Sequence, residues 1–245
     1  VNEPISLSIV LPAYEEAENL DCLLPQLRAI VAQLAPASEI VVVDTEQPRD
    51  ATPEVCARHG VRYVPRKGGP LYGHAVRTGI AESRGERVIL MDADGSHNPQ
   101  FLADLWNQRT TSDLVIASRY VPGGKTENPF ILIAMSYAVN LAFRIVLGLN
   151  CYDVSNSFRL YRGDDLRCLR LECDHFDIVE EILVKLMSLR PGYRLKEVPI
   201  VFEKRKAGKT KRQLLTFALG YVATLWRLHR LKRKAQQAAR HRSPL

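Results

Sequence analysis

Asp92 and Asp94 stand one residue apart in MDADGSHNP (91–99), directly after the strand-like run ERVIL. Two carboxylates this close repel each other unless a cation or a hydrogen-bond network holds them. A hard divalent cation taking carboxylate oxygens is one solution. A pair of turn-capping acids is the other, because Asp-Gly is itself a turn signal. A further acid, Asp44, closes the apolar run EIVVVD. Arg119, Arg144 and Arg159 carry the planar fork of donors that suits a phosphate. Arg144, alone in an apolar stretch, and Arg159, in SFRLYR, read equally as a snorkelling residue and a buried ion-pair partner. Asp177, Glu180 and Glu181 in HFDIVEEILVKL offer carboxylates for general-base work. They also read as ordinary acids at a helix N-terminus, where the dipole favours them.

Alternating elements must position these groups. ISLSIVLPAY is a strand running into a loop at Pro12, and residues 16–34 have helical spacing with Pro25 inside. SEIVVVDT is a nearly continuous apolar run, as in a strand buried on both faces. TPEVCARHG predicts a helix with Thr52 as N-cap, Pro53 at its first position and Gly60 at its end. VRYVP, ERVILMDAD and DLVIASRY follow as strands, with a helix over GHAVRTGIAESRG between the first two. This order predicts an α/β fold with a mostly parallel sheet. Ligands of such sheets bind beyond the carboxyl ends of the strands, where Pro12, Asp44, Asp92 and Arg119 all fall.

The chain has 245 residues, enough for one globular domain with an appendage. Its five cysteines match no zinc spacing and read as reduced thiols. The net charge of +7 is unevenly spread: after Glu203 there are 13 Lys and Arg and no acid, so the first 203 residues carry −6. Such asymmetry points to an anionic partner. Residues 129–149 are interrupted by Asn140 and Arg144, and the apolar run 214–226 is short of the roughly 20 residues that span a bilayer. Neither is read as transmembrane. The second runs into RLHRLKRK, the pattern of a helix lying in the membrane interface. The tail lacks the aromatic-basic interleaving of a nucleic-acid surface, so nucleic acid is not an expected partner.

Several blocks occur in order: VLPAYEEAENL, VVVD with DAT, GHAVRTG, MDADGSHNP, SRYVPGG, LGLNCYDVSNSFRLYR, EVPIVF and RKAGKTK. Together they resemble the inverting family 2 glycosyltransferases of GT-A fold, and among them the dolichol- or polyprenyl-phosphate mannose synthase-like enzymes. The resemblance runs from about residue 6 to residue 212.

It implies a GT-A domain over 1–211 and an amphipathic basic C-terminal helix and tail over 212–245. It implies hexose transfer from a GDP- or UDP-sugar to polyprenyl or dolichyl phosphate, at the cytoplasmic face of a membrane. Mg2+ or Mn2+ would be held by Asp92 and Asp94, with Ser96 as a third oxygen, and Asp94 would be essential to turnover. The nucleotide-sugar would meet Pro12, Ala13, Tyr14, Glu16, Asp44, Asp92 and Ala93. Its diphosphate would meet Arg66, Lys67 and the loop carrying Arg205 and Lys211. Arg119, Arg144 and Arg159 would face the acceptor. A lipid phosphate is already anionic and needs no base; a hydroxyl acceptor would need one, from Asp177 or Glu180. Three departures keep a hydroxyl acceptor in view: Thr45 after Asp44, EQP where Gly-Ser is usual, and no basic residue near Ile133. A non-catalytic binding subunit is the third reading.

Overall fold

The structure, a computed structural model, describes residues 4–189, 192–203 and 223–233. Strands β1 (Leu7–Pro12), β2 (Ser38–Asp44), β3 (Arg62–Pro65), β4 (Arg87–Leu90), β5 (Leu114–Ser118), β7 (Arg159–Arg162) and β8 (Leu195–Pro199) form one sheet of order β3-β2-β1-β4-β7-β5-β8. A small ladder pairs β6 (Lys125–Thr126) with β9 (Val201–Phe202). All neighbours in the large sheet are parallel except β7, which runs antiparallel between β4 and β5. Six parallel strands around one reversed strand make the sheet mostly parallel, as the alternation of elements predicts. The reversal has a functional result. The start of β7, rather than its end, lies beside the carboxyl ends of β4 and β5, with Arg159 opposite both Leu90 and Ile116.

Helices cover both faces, which is why β1 and β2 read as continuous apolar runs. Leu7, Ile9 and Leu11 pack under α1 (Ala17–Leu34), α2 (Thr52–Arg58) and α4 (Leu102–Asn107). Val10, Val41, Val43 and Val88 face α3 (Tyr72–Glu82) and α7 (Ile178–Leu189), joined by the inner side of α5 (Phe130–Leu147). Each such aliphatic side chain contributes roughly 1.5–3 kcal/mol by leaving water. Gly79 lets α3 lie directly on β1: a Cβ there would come within 2.2 Å of Val10 Cγ1. A short α6 (Gly163–Arg167) follows β7.

Two expectations about helix ends shift. The Thr52 hydroxyl has no hydrogen-bond partner among the described residues; Asp50 caps α2 instead, accepting from Thr52 N at 3.1 Å, and holds the first turn of α1 through Ala17 N at 2.9 Å. α3 stops at Glu82, three residues before Gly85, because Ser83 turns extended.

Residues 223–233 form a further helix, α8, whose Leu228 is 1% exposed within the same core as α5 and α7. The side of α5 away from it stays open: of its 18 residues Asn140, Phe143 and Leu147 are buried. Its mean hydropathy is 2.0, and by length and composition it is long and apolar enough to cross a membrane. Gly148, at φ 56°, ends it in a left-handed turn that a side-chain-bearing residue adopts at a cost.

Candidate active site

The carboxyl ends of β1, β2 and β4 lie side by side in the sheet. Ala13 continues β1 by donating to Val43 O at 2.8 Å, and both Pro12 and Ala13 are buried. Glu15 then adopts φ 54°, a conformation uncommon outside glycine, and this sharp turn sets Tyr14 and Glu16 apart. Glu16, 7% exposed, accepts from Asn19 Nδ2 at 2.6 Å. The Tyr14 hydroxyl accepts from Arg49 at 2.9 Å, and the Arg49 and Arg66 guanidiniums lie 5.4 and 6.0 Å from its ring centroid.

Asp44 is fully buried, and its Oδ1 has no hydrogen-bond partner among the described residues. Burial pushes its carboxyl above the usual range. A buried acceptor with nothing to accept is costly, and such groups mark places where a ligand donor completes the set. Arg66, expected at the diphosphate, turns inward instead. Its Nε donates to Asp44 O at 3.1 Å and its Nη1 to Pro70 O at 2.8 Å, while Nη2 meets Ala13 O. Burial lowers its pKa. It therefore braces three chain segments. Lys67 pairs with Glu82 at 2.9 Å on the exposed side of β3.

Asp92 and Asp94 flank the buried Ala93 on the loop after β4, and both are partly exposed. Asp92 Oδ1 accepts from the Tyr72 hydroxyl at 3.1 Å. Asp94 Oδ1 accepts from Ser96 N at 3.0 Å and from Ser96 Oγ at 2.6 Å. Ser96, buried behind Asp94, thus aims its carboxylate. His97 supports the loop from below: its Nδ1 accepts from Asp92 N at 3.1 Å, and its Nε2 meets Asn156 Oδ1 at 3.1 Å. Its ring stacks on Phe158 at 5.0 Å. Two accessible carboxylates are hard oxygen donors that leave the other coordination positions to water and phosphate oxygens, the manner in which Mg2+ and Mn2+ are bound beside diphosphates. The residues present fit such an ion.

Arg119 follows β5 and forms a two-pronged pair with the fully buried Asp153, Nε–Oδ2 2.8 Å and Nη2–Oδ1 2.7 Å, with Ser155 Oγ at 3.0 Å from Nη2. The other residues expected on the acceptor side lie as follows. Arg159 is fully buried and donates to the carbonyls of Asn156, Val154 and Val179 at 2.6, 2.6 and 3.1 Å. It ties the loop before β7 to α7 and has no surface to offer an acceptor. Arg144 lies over the Tyr152 ring at 4.1 Å. Glu180 is 1% exposed and lies by Tyr161 in the core. Asp177 Oδ2 accepts from Thr224 Oγ1 and Arg227 Nη2, both at 2.7 Å, which ties it to α8.

Arg205, Lys211 and the boundary near residue 211 lie outside the described residues. The chain leads toward them from beside the acidic loop, since Glu203 N donates to Ser96 O at 3.1 Å and Asn98 Nδ2 to Glu203 Oε1 at 2.8 Å. Sequence reading missed Tyr72, Arg49, Asp153 and Asn156. Each acts on a partner 20 to 59 positions away, and no local spacing signals such a pair.

The sequence profile of Glycosyl transferase family 2 matches residues 8–170. An undecaprenyl-phosphate mannosyltransferase of Micrococcus luteus is 37% identical over 219 residues, covering 82% of this chain and 85% of that protein. A polyprenol monophosphomannose synthase of Mycolicibacterium smegmatis is 31% identical over 217 residues, covering 83% and 79%. Among solved structures, glucosyl-3-phosphoglycerate synthase of Mycobacterium tuberculosis, crystallised with Mn2+, UDP and glucosyl-3-phosphoglycerate, superposes with a TM-score of 0.69 at 20% identity over 91% of this chain and 79% of that one. The acids at the strand ends, the order of the strands and this span of similarity lead to one assignment: the chain belongs to glycosyl transferase family 2.

Proposed function

We propose that this glycosyltransferase moves a hexose, mannose in the first instance, from a GDP- or UDP-sugar to the phosphate of a polyprenyl phosphate, with inversion, at the cytoplasmic face of a membrane. The relatives' names supply the class of acceptor. In this chain the reading is supported by the adjacency of Arg119, paired with Asp153, to an exposed apolar face of α5. Arg119 leads into Tyr120, whose ring meets Tyr137 of α5 at 6.0 Å, and Tyr137 belongs to an exposed stripe with Phe130, Leu141 and Ile145. A phosphate at Arg119 would have its hydrocarbon tail along that stripe.

Asp92 and Asp94 would hold Mg2+ or Mn2+, which when bound offsets the charge of the departing nucleoside diphosphate. Asp44 would take a donor from the nucleoside. Arg119 would orient the acceptor phosphate so that one of its oxygens attacks the anomeric carbon opposite the leaving group. That oxygen needs no general base; of the carboxylates considered for the task, Glu180 is buried in the core and Asp177 holds α8 through one oxygen. This favours phosphate over a hydroxyl acceptor.

The test is a transfer assay with GDP-mannose or UDP-glucose against undecaprenyl phosphate and, separately, hydroxyl acceptors, with and without Mn2+. Metal-dependent formation of an inverted phosphohexosyl lipid, lost in Asp94→Ala, supports the reading. Transfer to a hydroxyl acceptor alone, or full turnover by Asp94→Ala, overturns it.

A further inference from the structure

Asn140 stands in the middle of α5, the most apolar helix described, and is 2% exposed. A carboxamide there is costly unless its hydrogen-bonding groups are met. They are met from one loop and one helical turn. Its Oδ1 accepts from Val154 N at 2.6 Å and Ser155 N at 3.2 Å. Its Nδ2 donates to Ser136 O at 2.8 Å and lies 3.4 Å from the Ser155 hydroxyl. Leucine would fit the helix as well by pattern, but would leave two buried amides of the loop without acceptors. The loop, not the helix, therefore sets this residue type.

That loop holds Arg119. Asp153 forms the two-pronged pair, and the Ser155 hydroxyl accepts from Arg119 Nη2 on one side while facing Asn140 Nδ2 on the other. From the sheet side, Glu197 of β8 takes Tyr152 N at 2.7 Å and Asp153 N at 2.9 Å. Residues 152–155 are thus pinned between β8, Arg119 and the inner face of α5. The outer face of the same helix, at Tyr137 and Leu141, is exposed.

We infer that Asn140 is a positioning residue that holds α5 in register with Arg119, so that the depth at which α5 sits in lipid sets where the acceptor phosphate arrives. The inference rests on the reading of Arg119 as the acceptor-phosphate cation. It predicts a selective effect on the acceptor, because the donor pocket at Asp44 and the acidic loop share no hydrogen bond with Asn140.

The experiment compares wild type, Asn140→Leu, Ser155→Ala, their double variant and Arg119→Lys in the full chain. Acceptor KM is measured with undecaprenyl phosphate in phosphatidylglycerol liposomes, donor binding by calorimetry with GDP or UDP and Mn2+, and attachment by liposome sedimentation. Asn140→Leu is expected to raise acceptor KM on the order of tenfold, and Ser155→Ala a few-fold. Donor binding and sedimentation stay at wild-type values. The double variant is expected to be no worse than Asn140→Leu, since both act on one path. Equal losses in donor and acceptor, or fully additive losses, overturn the inference in favour of plain structural support. Should Asn140→Leu not fold, Ser155→Ala decides, and a wild-type acceptor KM overturns the inference. If Arg119→Lys raises acceptor KM while Asn140→Leu and Ser155→Ala do not, the inference alone fails. If Arg119→Lys leaves acceptor KM unchanged, or wild type transfers nothing to this lipid, the underlying acceptor reading fails with it.

Discussion

Burial raises the Asp44 carboxyl above its ordinary value of 3.8, so the folded chain binds that proton more tightly than the unfolded chain. The stability this contributes is full below pH 3.8 and is lost as pH rises through the folded-state value. Asp44→Asn is therefore expected to raise the melting temperature at pH 7, with a smaller gain near pH 4, while weakening nucleotide binding by roughly tenfold. Melting curves across pH, paired with calorimetric titration of GDP and UDP, check both halves. Tyr72 acts at the same scale. Its hydroxyl fixes one oxygen of Asp92, and its ring stacks on Phe176 at 4.3 Å. Tyr72→Phe keeps the stack and removes the hydrogen bond. Mn2+ affinity, read by titration in the presence of nucleotide, is expected to fall on the order of tenfold, as for other groups that orient metal-binding carboxylates. Unchanged Mn2+ affinity would show that Asp92 needs no such support.

At the scale of elements, α8 is built into the domain through Leu228 and through the Asp177–Arg227 pair at 2.7 Å. Lys232 reaches the last carbonyl of α5 at Leu147, where the helix dipole favours a cation. Leu228→Ala is expected to cost about 2–5 kcal/mol of stability, measured by urea unfolding. Asp177→Asn weakens a partly exposed ion pair, so a loss of about 1 kcal/mol is expected, with turnover changed by less than tenfold. A general base would instead show a loss of roughly 10²–10⁴ in rate, and that outcome in a kcat measurement would return Asp177 to the chemistry. The reversed strand β7 matters at this scale too. It brings Asn156 under His97 and the 152–155 loop beside Arg119, two separate sets of contacts made by neighbouring residues.

Across the whole molecule, exposed apolar groups gather on α5, with Trp226 of α8 added at 62% exposure and Arg230 lying over its ring at 4.5 Å. Apolar anchors flanked by cations suit an anionic lipid surface, with roughly 1 kcal/mol available per cation near it. Ile145→Glu and Trp226→Ala, each at an exposed position, are expected to reduce binding to phosphatidylglycerol liposomes several-fold or more without lowering the melting temperature. Co-sedimentation equal to wild type at low salt would contradict this. Removing everything after Lys211 is a poorer test, because it would take Leu228 out of the core together with the cations.

The sequence by itself determined the elements, the carboxylates at the ends of β2 and β4, the cation after β5 and the family. Periodicity, turn residues and ordered motifs are local properties, so they survive without coordinates. Tertiary structure decided what each charge does. Arg159 and Glu180 are buried because β7 is inserted between β4 and β5 and α7 packs over it, a placement no spacing in SFRLYR or VEEIL encodes. Arg66 braces carbonyls from three segments, and Arg119 pairs with an acid 34 residues away. Asn140, which looks in the sequence like a flaw in an apolar helix, becomes the acceptor for two loop amides once α5 is packed. A buried polar group is defined by its partners, and partners distant in sequence are chosen only when the chain has folded.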